Sequence, residues 1–272
     1  RTFKVRKEDE GFNKFLTKGA AVFKRPADIV NTGLTPLQHK AIFAANHCGA
    51  RGPFNLTTAF RKINHNIMTW SSWETGGNLK DRWNYFYHIF CRKKLLYPAP
   101  VAWMSATLVA PVFHNIQIRG AHTRNRGTKI KRTYNYTMQC LDEDVSVIIF
   151  PENSDEGYSE LPEQFHRGFL LAAKLYLSTR GEDIPIYPTY YSPAQNKAFI
   201  GEPLYYGEMA RTMTEDDMCD EFVRRIRMLA GRYGGDRDEI ADREIDEECG
   251  TQTDNRQYMT EYPETDVSGL CF

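Results

Sequence analysis

The sequence predicts a layered α/β domain, with a mostly parallel central sheet flanked by helices, and three observations predict it. Short apolar runs rich in β-branched and small residues recur at 41–45, 145–150 and 184–191. Stretches with helical spacing separate them. The two clearest runs stop abruptly in polar residues, Asn46-His47 and Pro151-Glu152-Asn153. Strands alternating with helices give parallel sheets, and strands buried on both faces read as continuous apolar runs.

Element by element, residues 8–31 carry apolar positions at roughly helical spacing, before Gly33 to Pro36 punctuate the chain. Ala41 to Ala45 reads as a buried strand, 53–63 as a helix and Ile67 to Trp70 as a second strand. Residues 79–97 hold the aromatic cluster Trp83, Tyr85, Phe86, Tyr87, Phe90 and Tyr97, with Arg92-Lys93-Lys94 inside it. Such a mixture suits either a membrane interface or a packed helix with a charged end. His114 to Arg119 alternates like a strand, and a basic helix follows to residue 142. Its run Arg124, Arg126, Lys129, Lys131, Arg132 suits carrier phosphates, lipid headgroups or a solvated face. Val145 to Phe150 is the clearest buried strand; Phe169 to Leu177 is helical, Ile184 to Tyr191 and Lys197 to Gly201 are strands, and 215–233 is a helix. The expected organisation is an N-terminal helical segment over 1–37, an α/β domain over 38–233 and an acidic tail over 234–272.

Composition narrows the function classes. Lys+Arg (35) balance Asp+Glu (35), but from Asp236 onward there are 12 acidic and 3 basic residues, leaving a basic body. Such a body attracts an anionic membrane, a phosphorylated ligand or an acidic carrier protein; no nucleic-acid partner is expected. The six cysteines form no CxxC pair and no zinc-like spacing, so no metal or disulfide framework is expected, and a cytoplasmic location is. No apolar run approaches the roughly 20 residues of a spanning helix. Gly49 to Gly52 is too short for a nucleotide fingerprint. A nucleophilic Cys48 is a minor reading, since neighbours on a strand point to opposite faces.

Functional groups in open α/β sheets gather past the carboxyl ends of strands, where Asn46-His47 and Pro151-Glu152-Asn153-Ser154 fall. A histidine there is suited to general-base work. Five segments also stand in the order of a known family. They are Asn46-His47-Cys48-Gly49-Ala50-Arg51-Gly52-Pro53, Asn115-Ile116-Gln117-Ile118-Arg119 and Phe150-Pro151-Glu152-Asn153-Ser154-Asp155 with Phe165-His166-Arg167-Gly168 after it, then Ile184-Pro185-Ile186-Tyr187-Pro188 and Phe199-Ile200-Gly201-Glu202-Pro203. In this, residues 38–207 resemble the glycerolipid acyltransferases, of lysophosphatidic acid or glycerol-phosphate type.

The resemblance implies transfer of a fatty acyl group from acyl-CoA or acyl carrier protein to a lipid hydroxyl, in lipid metabolism and phospholipid biosynthesis, by a peripheral membrane protein needing no further cofactor. His47 would be the general base, Asn46 would hold its loop and Glu152 would organise the site. Arg119, Arg167, Asn153, Ser154 and Arg51 would bind substrate. Two positions depart from the family pattern. Gly52 replaces the aspartate that holds the histidine's second nitrogen, so Glu152, Asp155 or Glu156 is expected to substitute. Asp155 replaces a phosphate-binding arginine, which points to an acceptor without a free phosphate or to reliance on Arg119, Arg51 or Arg167. The alternatives are a catalytically silent member of the fold binding lipid, membrane or a protein partner, and an acyl-hydrolase.

Overall fold

Buried strands form where small and β-branched apolar residues run on without a charge, and the runs at 41–45, 145–150 and 184–191 become sheet strands. The computed structural model describes residues 26–48, 51–72, 78–92, 96–109, 115–118, 126–152 and 160–234. Along the chain lie β1 (Asp28–Asn31), β2 (Ile42–Ala45), α1 (Arg51–Lys62), β3 (Ile67–Ser72), α2 (Leu79–Arg92) and α3 (Pro98–Met104). A π-helical turn (Ser105–Val109) extends α3 and is followed by β4 (Asn115–Ile118), α4 (Arg126–Asp142) and β5 (Ser146–Ile149). Then come α5 (Gly168–Arg180), β6 (Pro185–Ser192), β7 (Lys197–Ile200), β8 (Leu204–Tyr205), α6 (Tyr206–Met209) and α7 (Glu215–Tyr233).

The strands form one sheet in the order β1-β7-β6-β2-β5-β3-β4, with β8 also on β6. All pairings are parallel except β6 with β7 and with β8. The layered, mostly parallel α/β architecture is therefore the one the sequence predicts. Residues 28–31, read from the sequence as the end of a helical segment, are instead the edge strand β1, in register with β7 from Asp28↔Lys197 to Asn31↔Ile200. Sheet pairing outweighs a weak helical pattern over four residues that include Ile29 and Val30. Of the aromatic segment 79–97, Leu79–Arg92 form α2, and Pro98, with its fixed φ, opens α3 as a separate helix.

Alternation at period two sorts the strand residues between two faces. Ile42, Ala44, Val147, Ile149, Ile186 and Tyr190 face one way, against Tyr134, Met138, Phe169, Ala173, Phe222 and Ile226 of α4, α5 and α7. Phe43, Ala45, Ile148, Tyr187 and Tyr191 face the other, against Leu56, Ala59 and Phe60 of α1. On that face the Phe43 ring lies 4.5 Å from Phe60 and stacks on Tyr187 at 5.1 Å.

Local chemistry ends the elements. Gly181 at φ +71° closes α5, its N–H donating to the Leu177 carbonyl at 2.8 Å. A capping box of Thr214 and Asp217 opens α7. Asn64 and Asp144 sit at positive φ just before β3 and β5, a conformation that short amide and carboxylate side chains tolerate.

At the amino ends of these strands His65 is buried among aromatic rings. The Ser146 hydroxyl donates to the His39 carbonyl at 2.6 Å and so accepts from Nε2–H of His65 at 2.9 Å, which sets the neutral tautomer. Burial, with the stacked His39 ring 5.0 Å away, lowers the His65 pKa from 6.5 to about 4. The unfolded chain binds a proton here between those values that the fold resists. Stability therefore falls as pH drops through that window, by about 3 kcal/mol once the drop is complete. In urea titrations at pH 7 and pH 5, His65→Gln should show a smaller pH-dependent loss than wild type.

Candidate functional site

The register of the sheet brings the two polar segments together. Ala44 pairs with Ile149 in the parallel β2–β5 ladder, so His47 and Glu152, each three residues further on, emerge side by side. The main-chain N–H of His47 donates to Oε1 of Glu152 at 2.7 Å. The His47 ring packs edge-on against Phe150 with centroids 5.1 Å apart. Glu152 is itself held by a bridge to Phe165, while the His166 N–H donates to the Pro151 carbonyl at 2.7 Å.

Asn46 is fully buried, and its amide extends the β2–β6 pairing after the ladder stops. Its Oδ1 accepts from the Tyr191 N–H at 2.7 Å. Its Nδ2 donates to the carbonyls of Tyr191 (3.1 Å) and Glu160 (2.9 Å) and lies 2.8 Å from the Cys48 sulfur. These bonds tie the end of β2 to β6 and to the Glu160 segment.

Directly after His47 the chain reverses. Cys48 takes φ +43°, an arrangement costing a residue with a Cβ roughly 1–2 kcal/mol. Its thiol is enclosed, and burial first, then the charges of Glu152 and Glu160, push its pKa well above the usual range. A thiol so suppressed is no nucleophile at neutral pH. The reversal delivers the first turn of α1 against the loop it has just left. A β-carbon on Gly52 would lie 2.0 Å from the His47 carbonyl oxygen, so this backbone admits only glycine. An aspartate, which the resemblance would place here, does not fit this loop geometry.

Desolvation raises the Glu152 pKa from 4.5 to about 8, against the opposing hydrogen bond from the His47 N–H. Although the residue keeps some exposed surface, its carboxyl is enclosed by protein, and near neutral pH it is largely the uncharged acid. Expected from the resemblance to organise the site, Glu152 lies beside the His47 loop. Its Oε1, however, holds the main chain of His47, not the ring.

Of the expected substrate-binding residues, Arg167 lies at the start of α5 and pairs bidentately with Asp216 on α7, at 2.8 and 2.6 Å. That ion pair is largely solvated and engages the fork a phosphate would use. Arg51 opens α1, its side chain lying outside the described residues. Arg119, Asn153 and Ser154, like Asp155 and Glu156, also lie outside them.

The sequence reading missed Glu160 and the paired tyrosines of β6. Glu160 is buried, and its carboxylate accepts from the Tyr190 hydroxyl. The Tyr191 hydroxyl accepts from Asn55 and donates to Asn196 at 3.2 Å. A signal was present: three tyrosines in a strand with every position buried require partners for their hydroxyls. Among the described residues no group of three His, Cys, Asp or Glu is placed to hold a metal ion. No family model, curated protein or solved structure matches this chain.

Two outcomes check this geometry. Gly52→Ala should cost roughly 2–4 kcal/mol in urea denaturation, because the relieving movement must come from backbone. Asn46→Ala should cost a similar roughly 2–4 kcal/mol, through the orphaned Tyr191 N–H and the carbonyls left behind.

Proposed function

We propose that this protein is an O-acyltransferase that moves a fatty acyl group from a CoA or carrier-protein thioester to a lipid hydroxyl at a membrane surface. The observation that carries the reading is the juxtaposition of His47 and Glu152 at adjacent strand ends, fixed by the 2.7 Å bond between them. Family resemblance of the ordered segments supports it from the sequence side.

In this mechanism the His47 imidazole takes the proton of the acceptor hydroxyl as its oxygen attacks the thioester carbonyl carbon. The carbon–oxygen bond forms and an oxyanion develops on the former carbonyl oxygen. Collapse breaks the carbon–sulfur bond, and the departing sulfur takes the proton from the imidazolium and leaves as free thiol. Glu152 contributes by being neutral: an uncharged carboxyl beside His47 holds the loop without repelling the oxyanion. Asn46 and Cys48 turn the chain so that His47 stands past the carboxyl end of β2.

A specific observation favours a second reading, a silent domain of the same fold binding lipid or a partner. The loop excludes an aspartate at Gly52, which in the family orients the base. In the handling of serine-protease triads, disabling the equivalent carboxylate costs roughly 10⁴ in rate, so retention of turnover here demands another orienting group.

Thiol release from palmitoyl-CoA with lysolipid acceptors separates the readings. Acceptor-dependent release that disappears in His47→Ala is the expected result. No release from folded wild type under any donor and acceptor sinks the enzyme reading, and release of free acid without acceptor makes the protein a hydrolase. The pH profile is a further check. Turnover should decline above about pH 8, the value at which Glu152 ionises. Glu152→Gln, which keeps the acceptor for the His47 N–H, should match wild type near pH 7 and lack that decline.

A further inference from the structure

The segment between β3 and β4 is a helical hairpin, α2 and α3, with the π-helical turn continuing α3. Arg82 Nη1 donates to the Ala106 carbonyl at 3.3 Å and ties the two arms. Among the described side chains between 79 and 109, none belongs to either face of the sheet core. Among the described side chains of the hairpin, only the small residues Ala102, Ser105 and Ala106 are buried. Four of its large apolar side chains are exposed: Leu96 is 81% exposed, Tyr97 68%, Trp103 58% and Leu79 46%. Four such residues on one short hairpin are more than scattered surface apolar groups require.

Charge selects the occupant. Residues 79–97 contain five Lys and Arg against the single acid Asp81, and Lys80 is exposed beside Leu79. Cores of protein interfaces are depleted in lysine. By contrast, tryptophan, tyrosine and leucine interleaved with basic residues suit the headgroup layer of an anionic bilayer, where the rings sit at the polar boundary and the cations meet phosphate. No described helix is long and apolar enough to cross a membrane, so the contact is interfacial. Because β3 runs parallel to β2 and β5, the hairpin departs from the same end of the sheet as His47 and Glu152.

We propose that the α2–α3 hairpin is the membrane-docking element, with Leu79, Leu96, Tyr97 and Trp103 entering the headgroup layer of an anionic lipid bilayer. The inference rests on the lipid-surface reading above for its choice of partner, and not on catalysis.

Co-sedimentation with phosphatidylcholine vesicles, with and without phosphatidylglycerol, tests it. Wild type should bind the mixed vesicles, bind pure phosphatidylcholine less, and release in high salt. The triple variant Leu96→Ser, Tyr97→Ser, Trp103→Ser alters exposed positions and should keep its circular dichroism while losing roughly tenfold or more in vesicle affinity. Equal binding by that variant overturns the proposal, as does absence of wild-type binding to every vesicle. A wild-type dimer without lipid that the triple variant dissociates also overturns it, making the hairpin a contact between copies. His47→Ala should bind vesicles as wild type does. Vesicle binding without thiol release therefore defeats only the enzyme reading, and the reverse result defeats only this one.

Discussion

Where the β2–β6 ladder runs out at Ala45 and Thr189, the amide of Asn46 takes over the hydrogen bonding, and the site is built on that substitution. A side chain in place of backbone lets the main chain leave the sheet while its strand stays attached. The freed chain then turns through left-handed Cys48 and starts α1. The same amide fastens the Glu160 carbonyl, so the approach to β6 and the exit from β2 share one anchor. Strain at Cys48 persists because the surrounding bonds over-determine it, the usual condition for a strained residue beside a candidate site.

Buried polar groups in this fold are kept neutral or shared. His65 is held uncharged by Ser146 and its aromatic neighbours, and Glu152 is held protonated by desolvation. Their demands on pH oppose each other. The histidine disfavours the fold as acidity increases below 6.5, while the glutamate disfavours it as pH rises from 4.5 toward 8. Solvated charged pairs lie elsewhere, among them Arg167–Asp216, Lys174–Glu215 and Arg180–Asp142 where α5 meets α7 and α4. Such pairs align helices more than they stabilise them.

Much of this was legible in the sequence, for reasons that can be named. Val145 to Phe150 and Ala41 to Ala45 announce buried parallel strands because no charge interrupts them, and the polar residues that end them mark the functional edge. The helix over 215–233 carries its own start signal in Thr214 and Asp217. Residues 28–31 were misread because four residues supply too little periodicity, and only their pairing with distant β7 makes them a strand. The bond from His47 to Glu152 and the hold of Tyr190 on Glu160 join residues 105 and 30 positions apart, and no local pattern encodes them. Gly52 read from the sequence as a lost catalytic partner. Only the proximity of the His47 carbonyl shows why no side chain fits.

That proximity also bears on the history open to the chain. A side chain at Gly52 is rejected by the fold as it stands, so no single substitution adds a carboxylate at this position. The loop would first have to relax around Cys48, a change that brings no catalytic gain by itself. Selection acting one residue at a time meets a barrier there. A new carboxylate partner for the His47 loop is therefore more accessible from across the site, through residues on the β5 side, than along the turn that carries the histidine.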